Sequence, residues 1–241
     1  MALPKIDLPT FKLFLKSIEK EITFRPFVVK EEKILLLALE TEDMDAILEA
    51  VKQVINNCIL TEDIDVDSLP LFEIEFIFLN IRARSMGEII NVTYICGNEL
   101  EDKKCPAEME VEVDVLKAAV EMTAQNSTVM ISDKVGIKFK YPTLEVTKIL
   151  NSEDLPEMET TVKLIELCTD YLFDDEQVYK PADMQPGEFD EFISNLTQDQ
   201  FVQMQNFFDN IPKIKYDTKV TCGACGKEHD IHLEGMLDFF E

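Results

Sequence analysis

The chain has 241 residues, 46% of them hydrophobic, which is enough for one large or two small domains with a substantial core. It carries 48 acidic against 23 basic residues, a formal net charge of −25 at pH 7. A surface this acidic repels phosphate backbones and anionic lipid headgroups, so we expect neither a nucleic acid nor a membrane as partner.

Residues 1–88 are predicted to form an N-terminal strand and helical region. The segments 30–40 and 44–57 show helical spacing of apolar residues and predict two short helices. In the first helix, Ile34, Leu37 and Ala38 lie on one face, which Leu35, Leu36 and Leu39 widen. Residues 71–84 are apolar on most sides and follow Pro70, a favoured first-turn residue, so we expect the most buried helix there.

Residues 89–115 predict a first cysteine-bearing β-hairpin. Cys96 ends a strand-like segment, Cys105 closes a polar gap, and residues 110–115 alternate strictly between acidic and apolar residues as a returning strand does. The two cysteines are therefore expected near the turn of one hairpin.

A helical insertion is predicted over residues 116–213. Residues 157–173 carry an amphipathic stripe, and two further helical segments follow an acidic, proline-containing loop. A strand is expected within 135–142. We find no internal repeat.

Residues 214–241 predict the second cysteine hairpin and a C-terminal tail. Cys222 and Cys225 enclose a Gly-Ala pair between two strand-like segments, and this two-residue gap is typical of a zinc knuckle. Two hairpins that each carry a cysteine pair indicate the halves of a zinc ribbon. The expected fold class is therefore α+β, a mainly helical body with a split zinc-ribbon-like pair of β-hairpins.

Four thiolates form a closed tetrahedral shell around zinc and leave no open position for water or substrate, so the predicted zinc is structural. The predicted ligands are Cys96, Cys105, Cys222 and Cys225. Alternatively, the first two are ordinary thiols and the second two a redox pair or a bare turn. His229 is an alternative fourth ligand, whereas Cys58 and Cys168 lie in apolar helical stretches typical of core residues.

The sequence contains no phosphate-binding glycine loop and no nucleophile or zinc-protease motif. In a strand, His229 and His232 point to opposite faces and do not form a dyad. We therefore expect a non-enzymatic protein without a small-molecule substrate. No run of about 18 apolar residues occurs. The N-terminus lacks a secretory signal pattern, which favours the reducing cytoplasm.

Three stretches resemble the baseplate proteins of T4-like contractile-tailed bacteriophages. They are Phe24-Arg25-Pro26-Phe27-Val28-Val29-Lys30-Glu31-Glu32-Lys33 with the apolar helix that follows, the helical segment 69–85, and the closing segment 233–240. The cysteine hairpins are similar as well. The resemblance covers most of the chain and is weakest over 116–200.

The resemblance implies a baseplate hub subunit or a hub assembly protein, with no catalytic residues. Its partners would be other hub proteins or a tape-measure protein. It would reside in the host cytoplasm during assembly and, as a permanent component, in the virion tail baseplate. From the charge and the aromatic tail we expect Phe239 and Phe240 to anchor in a partner's groove, unless they pack against the protein's own second hairpin.

Two other classes stay open at this point. A zinc-ribbon regulator that binds nucleic acid would need a basic stripe, and the chain is acidic nearly everywhere. A thiol redox protein would use Cys222 and Cys225, and it would need a lowered thiol pKa.

Overall fold

The computed structural model describes residues 6–100, 103–121 and 127–239. The chain divides into two compact units. The first unit consists of Met1–Val66, Phe72–Glu121 and Lys213–Glu241, and the second of Asp67–Leu71 and Met122–Pro212. Helices and strands are mixed in the chain, which confirms the α+β class.

Within the described ranges, the helices are α1 (Val29–Leu39), α2 (Met44–Cys58), α3 (Leu71–Met86), α4 (Leu144–Ser152), α5 (Glu157–Cys168), α6 (Glu188–Ser194) and α7 (Gln198–Asp209). The strands are β1 (Phe11–Leu15), β2 (Lys20–Phe24), β3 (Ile89–Ile95), β4 (Glu108–Asp114), β5 (Ala119–Glu121), β6 (Thr128–Met130), β7 (Gly136–Phe139), β8 (Thr169–Phe173), β9 (Val178–Tyr179), β10 (Lys213–Thr221) and β11 (Glu228–Glu234). None of these helices combines the length and the apolar character that crossing a bilayer requires.

An ion pair between the partly buried Arg25 and the buried Glu31 organises the start of the first unit, where the β1–β2 hairpin leads into α1 and α2. The Arg25 backbone N–H donates to the Cys58 carbonyl at the end of α2, at 3.0 Å. Its guanidinium donates to the buried Glu31 carboxylate at 3.0 Å. The other oxygen of Glu31 accepts the Val28 backbone N–H at 3.0 Å and so caps α1. Arg25 thereby ties the start of α1 to the end of α2.

This ion pair also decides which face of α1 is buried. Glu31, Leu35 and Ala38 are buried at helical spacing, whereas Leu37 is 64% exposed. The sequence placed Leu37 on the apolar face of α1 together with Ile34, and for Leu37 that prediction was wrong. Because most positions in the second half of α1 are apolar, their period does not select a face, and the contact of Glu31 with Arg25 does.

The helix predicted over residues 71–84 is α3, and it carries more buried residues than any other helix in the described parts of the chain. Even a carboxylate on α3 is buried. Glu73 is 2% exposed and accepts the backbone N–H of Ser17 at 2.7 Å as well as the Ser17 hydroxyl. These hydrogen bonds compensate for the lost hydration of the charge.

Two antiparallel sheets of the first unit carry the cysteines. Strands β3 and β4 form a hairpin whose register ends at Ile95 opposite Glu108. Strand β10 is the middle strand of the sheet β11-β10-β5. It pairs with β11 up to Thr221 opposite Glu228, and with β5 at Lys213 opposite Glu121.

The second unit contains a four-stranded antiparallel sheet of order β6-β7-β8-β9 beside helices α4 to α7. The sequence predicted a helical insertion over 116–213 with a strand within 135–142, and that strand is β7. The other strands of the sheet have two to five residues and are too short to show alternation. Residues 169–173, predicted as the end of an amphipathic helix, form β8 instead. The Phe139 ring lies 5.0 Å from that of Phe207 and 5.1 Å from that of Phe208, between centroids, in the core of this unit. The boundaries predicted at 88, 115 and 213 stay predictions.

Candidate metal centre

The loop between β3 and β4 holds the first two cysteines close together. Cys96 directly follows β3, and its backbone N–H donates to the Ala107 carbonyl at 2.9 Å. The N–H of Gly97 donates to the Cys105 carbonyl at 3.0 Å, and the N–H of Cys105 donates to the Asn98 carbonyl at 2.8 Å. Gly97 has a φ of 60°, which glycine adopts at little cost. These hydrogen bonds bring both cysteines to the same end of the hairpin.

A tight turn between β10 and β11 holds the second pair. The Cys222 N–H donates to the Lys227 carbonyl at 2.8 Å, and the Gly226 N–H donates to the Cys222 carbonyl at 2.9 Å. Gly226 has a φ of 73°, in the left-handed region. The second of these hydrogen bonds closes a turn that contains Cys225, so both cysteines lie at the same end of this hairpin.

The two hairpins bring together the sulfurs of the four cysteines that were predicted as ligands, although the two pairs lie far apart in the chain. The Sγ atoms of Cys96 and Cys225 are 3.6 Å apart, those of Cys105 and Cys222 are 3.9 Å apart, and all four lie within 4.8 Å of one another. Sulfurs placed tetrahedrally at about 2.3 Å from zinc are separated by about 3.8 Å. The cysteines are free thiols, and the donor set therefore fits a four-thiolate metal site.

The sulfurs differ in how readily they ionise. The N–H groups of Cys225 and Ala224 stabilise the Cys222 thiolate and lower its pKa to about 7. Burial raises the pKa of Cys96 to about 12. Cys222 therefore ionises before Cys96. The remaining thiols are expected to lose their protons when a divalent cation binds, because coordination deprotonates a thiol.

Apolar and hydrogen-bonding groups surround the sulfurs. The buried Met109 and the partly buried Tyr94 and Val220 pack against the cluster. The Nε2 atom of His229 lies 3.2 Å from the Cys96 sulfur, and the Nδ2 atom of Asn98 lies 3.7 Å from the Cys225 sulfur. Both side chains lie beside the four-sulfur cluster, at positions from which they can orient the sulfurs.

The sequence did not single out Asn98, although its position two residues after Cys96 was the available signal. His232 lies on the opposite face of β11 from His229, with its Nδ1 atom 2.6 Å from Asp217 Oδ1, as strand alternation predicts. The two histidines therefore do not share a site.

Cys58 and Cys168 lie outside the cluster and are buried. Burial raises the pKa of Cys58 to about 11 and that of Cys168 to about 12. Thiols that resist ionisation in this way behave as small core residues.

The described part of the C-terminal tail, up to Phe239, packs within the first unit. Phe239 is completely buried in a short 3-10 turn after β11. Just before it, the Met236 N–H donates to the Glu75 carboxylate at 3.3 Å, and burial raises the pKa of Glu75 to about 7. Phe240 lies outside the described residues. The anchoring role of Phe239 and Phe240 stays a prediction, and the burial of Phe239 favours packing within the chain.

The chain belongs to the family of T4 bacteriophage base plate proteins, whose model matches residues 8–241. Among curated proteins, it is 22% identical over 231 residues to the baseplate hub assembly protein gp26 of Enterobacteria phage T4, covering 96% of this chain and 98% of that protein. No solved structure matches the chain.

Proposed function

We propose that this protein is a non-enzymatic structural or assembly component of the baseplate hub of a contractile phage tail, acting through contacts with other proteins. The family match over nearly the whole chain supports this role, as does the similarity to a hub assembly protein. Its partners would be other hub proteins or a tape-measure protein. It would act in the host cytoplasm during assembly and, if retained, in the tail baseplate.

The proposal includes one structural zinc ion at the cysteine cluster. The single observation that carries it is the convergence of four cysteine sulfurs within 4.8 Å of one another. Cys96, Cys105, Cys222 and Cys225 would be the ligands. Zinc bound by four thiolates has no open coordination position, so its contribution would be to stabilise the paired hairpins. In zinc-finger peptides such sites contribute on the order of 10–16 kcal/mol of apparent binding free energy.

Elemental analysis of protein purified without added zinc tests the metal site. We expect about one zinc per chain, and none in a Cys222→Ser/Cys225→Ser variant. Cys58→Ala is the matched control because it removes a buried thiol outside the cluster and should keep the metal. Metal-free wild-type protein, together with a normally folded double variant, would exclude the structural zinc site.

Complementation tests the role in assembly. Cells infected with a phage that lacks the corresponding gene would receive the wild-type chain from a plasmid, and completed hubs and tails would be counted by sedimentation and electron microscopy. We expect the wild-type chain to restore hub formation. Unchanged hub numbers with and without the chain would contradict the role. Mass spectrometry of purified particles then separates a permanent component from a transient assembly factor.

One observation favours a second candidate, a thiol redox protein. Cys222 and Cys225 are free thiols separated by two residues, and their sulfurs lie within 4.8 Å of each other. Backbone N–H groups lower the pKa of Cys222, as a reactive thiol requires. This candidate requires metal-free protein and turnover in an insulin-reduction assay. A zinc-loaded chain without turnover would eliminate it.

A further inference from the structure

The second unit contains an apolar cavity of about 290 Å³. Its walls are formed mainly by aliphatic and aromatic side chains, and Asp174 and Glu188 also line it. The apolar lining residues are Val135, Leu172, Phe173, Tyr179, Met184, Phe189 and Phe192. A cavity of about 150 Å³ accommodates benzene, while sites for drug-sized ligands begin at about 300 Å³. The cavity therefore has room for one large side chain.

The chain segment that forms much of this cavity is strongly acidic. Residues 174–191 contain seven carboxylates and a single basic residue, Lys180. Asp174 accepts the backbone N–H groups of Gln177 and Glu176, each at 2.8 Å, as well as the Tyr179 hydroxyl at 2.8 Å. These hydrogen bonds lower the pKa of Asp174 and hold the Tyr179 ring in the cavity wall. A fixed negative charge thus stands beside an apolar opening.

We propose that this acidic-rimmed cavity, lined by the residues just named, receives one aromatic or large aliphatic side chain that a partner protein presents between lysine or arginine residues. The apolar walls would bury the anchor side chain, and the carboxylates of Asp174 and Glu188 would attract the flanking cations. The inference rests on the proposed function only in taking the partner to be another baseplate protein. It adds the cavity as the surface that this partner contacts.

Charge complementarity selects this occupant. A second copy of the chain would also carry a charge of −25 and would be repelled, whereas a basic segment is attracted. An acidic or neutral peptide with the same anchor would lose that attraction. The proposal therefore requires both the anchor and its positive neighbours.

NMR titration of the isotope-labelled full chain tests the proposal with a short blocked peptide that has one phenylalanine between pairs of lysines. We expect saturable shifts of the backbone signals of Tyr179, Phe189 and Phe192. Replacing the phenylalanine by alanine, or the lysines by glutamates, should abolish saturation. Equal shifts with the alanine peptide, or no shifts at these residues, would overturn the proposal.

Two variants probe the cavity itself. Glu188→Gln removes one rim charge but retains an oxygen for the Gln185 N–H, which Glu188 accepts at 2.7 Å, and should weaken peptide binding about two- to fivefold. Glu157→Gln is the matched control, because Glu157 is also an exposed acidic first residue of a helix but does not line the cavity. Val135→Phe should fill the cavity and reduce binding by about tenfold or more.

If Glu157→Gln weakens binding as much as Glu188→Gln does, the contact is nonspecific charge attraction and the proposal fails. Peptide titration uses the purified chain alone, whereas the assembly role is tested by complementation. A chain that restores hubs but does not bind the peptide would therefore refute this surface and leave the assembly role intact. A chain that binds the peptide but leaves hub numbers unchanged would refute the assembly role and leave the proposed binding surface intact.

Discussion

The His229 imidazole and the Cys96 sulfur approach within 3.2 Å, between Nε2 and Sγ. His229 belongs to β11, whereas Cys96 follows β3, so this contact joins the two cysteine hairpins through a group that is not one of the four sulfurs. A ring nitrogen at this distance can donate a hydrogen bond to a thiolate and disperse its charge.

His229→Ala should therefore weaken metal binding without changing the number of ions bound. Loss of a side chain that supports a ligand typically lowers metal affinity by about 10- to 100-fold. His232→Ala is the matched control, because that imidazole is exposed and contacts Asp217 on the opposite face. Competition with a chromogenic zinc chelator would measure both affinities. Indistinguishable affinities of the two variants would show that the His229 contact does not support the site.

The Arg25–Glu31 pair predicts a specific loss of stability in acid. Burial acts to raise the pKa of Glu31, but hydrogen bonds from Arg25 and from the Val28 N–H outweigh it and lower the pKa. Because the folded-state pKa is the lower one, the stabilisation is fully present above the unfolded pKa of about 4.5 and is lost as pH falls through the folded value. Urea unfolding of the wild type and of Glu31→Gln at several pH values would measure this stabilisation.

At neutral pH, Glu31→Gln should cost about 3–5 kcal/mol, because the partly buried Arg25 guanidinium loses its partner. The difference between the two proteins should shrink as pH falls below about 4.5. Glu32→Gln removes the same charge from the neighbouring position and should cost far less. A constant difference at all pH values would contradict the assignment of the acid sensitivity to Glu31.

The orientation of α1 can be tested with two leucines of the same helix. Leu35 is buried and Leu37 is 64% exposed. Leu35→Ala should lower the free energy of unfolding by about 2–5 kcal/mol, since it leaves a cavity. Leu37→Ala should change it by about 0.5 kcal/mol or less. Equal effects of the two substitutions in denaturant unfolding would show that the helix face is assigned incorrectly.

For the tail, the structure predicts that Phe239 contributes to stability. Phe239→Ala removes a completely buried ring and should cost about 3–5 kcal/mol in chemical unfolding. Phe14→Ala is the control, because that ring on β1 is 53% exposed, and it should cost less than about 1 kcal/mol. A Phe239→Ala protein as stable as the wild type would instead favour the partner-anchoring role.

Local pattern was enough to predict the elements around the cysteines. The alternation in β4, the two-residue gap between Cys222 and Cys225, and the near-continuous apolar run of α3 each reflect an interaction within a few residues. The sequence could therefore indicate that two distant hairpins each present a pair of sulfurs toward a common point. Whether zinc occupies that point stays a proposal.

Features that depend on distant partners escaped prediction. The buried face of α1 follows from the contact of Glu31 with Arg25. Arg25 also donates hydrogen bonds to the carbonyls of Asn57, through its guanidinium, and Cys58, through its backbone N–H. In the sheet of the second unit, the strands other than β7 were missed because they are too short to show a period, as in the two residues of β9. The acidic-rimmed cavity likewise combines β8 with α6 and the loops around them, and no single stretch of sequence encodes it.

The pairing of Glu121 with Lys213 has a consequence for insertions into the chain. These residues flank 122–212, so the backbone leaves β5 and returns to β10 at paired strand positions. A loop lengthened within that segment therefore leaves the distance between the ends of β5 and β10 unchanged, provided that their pairing is kept.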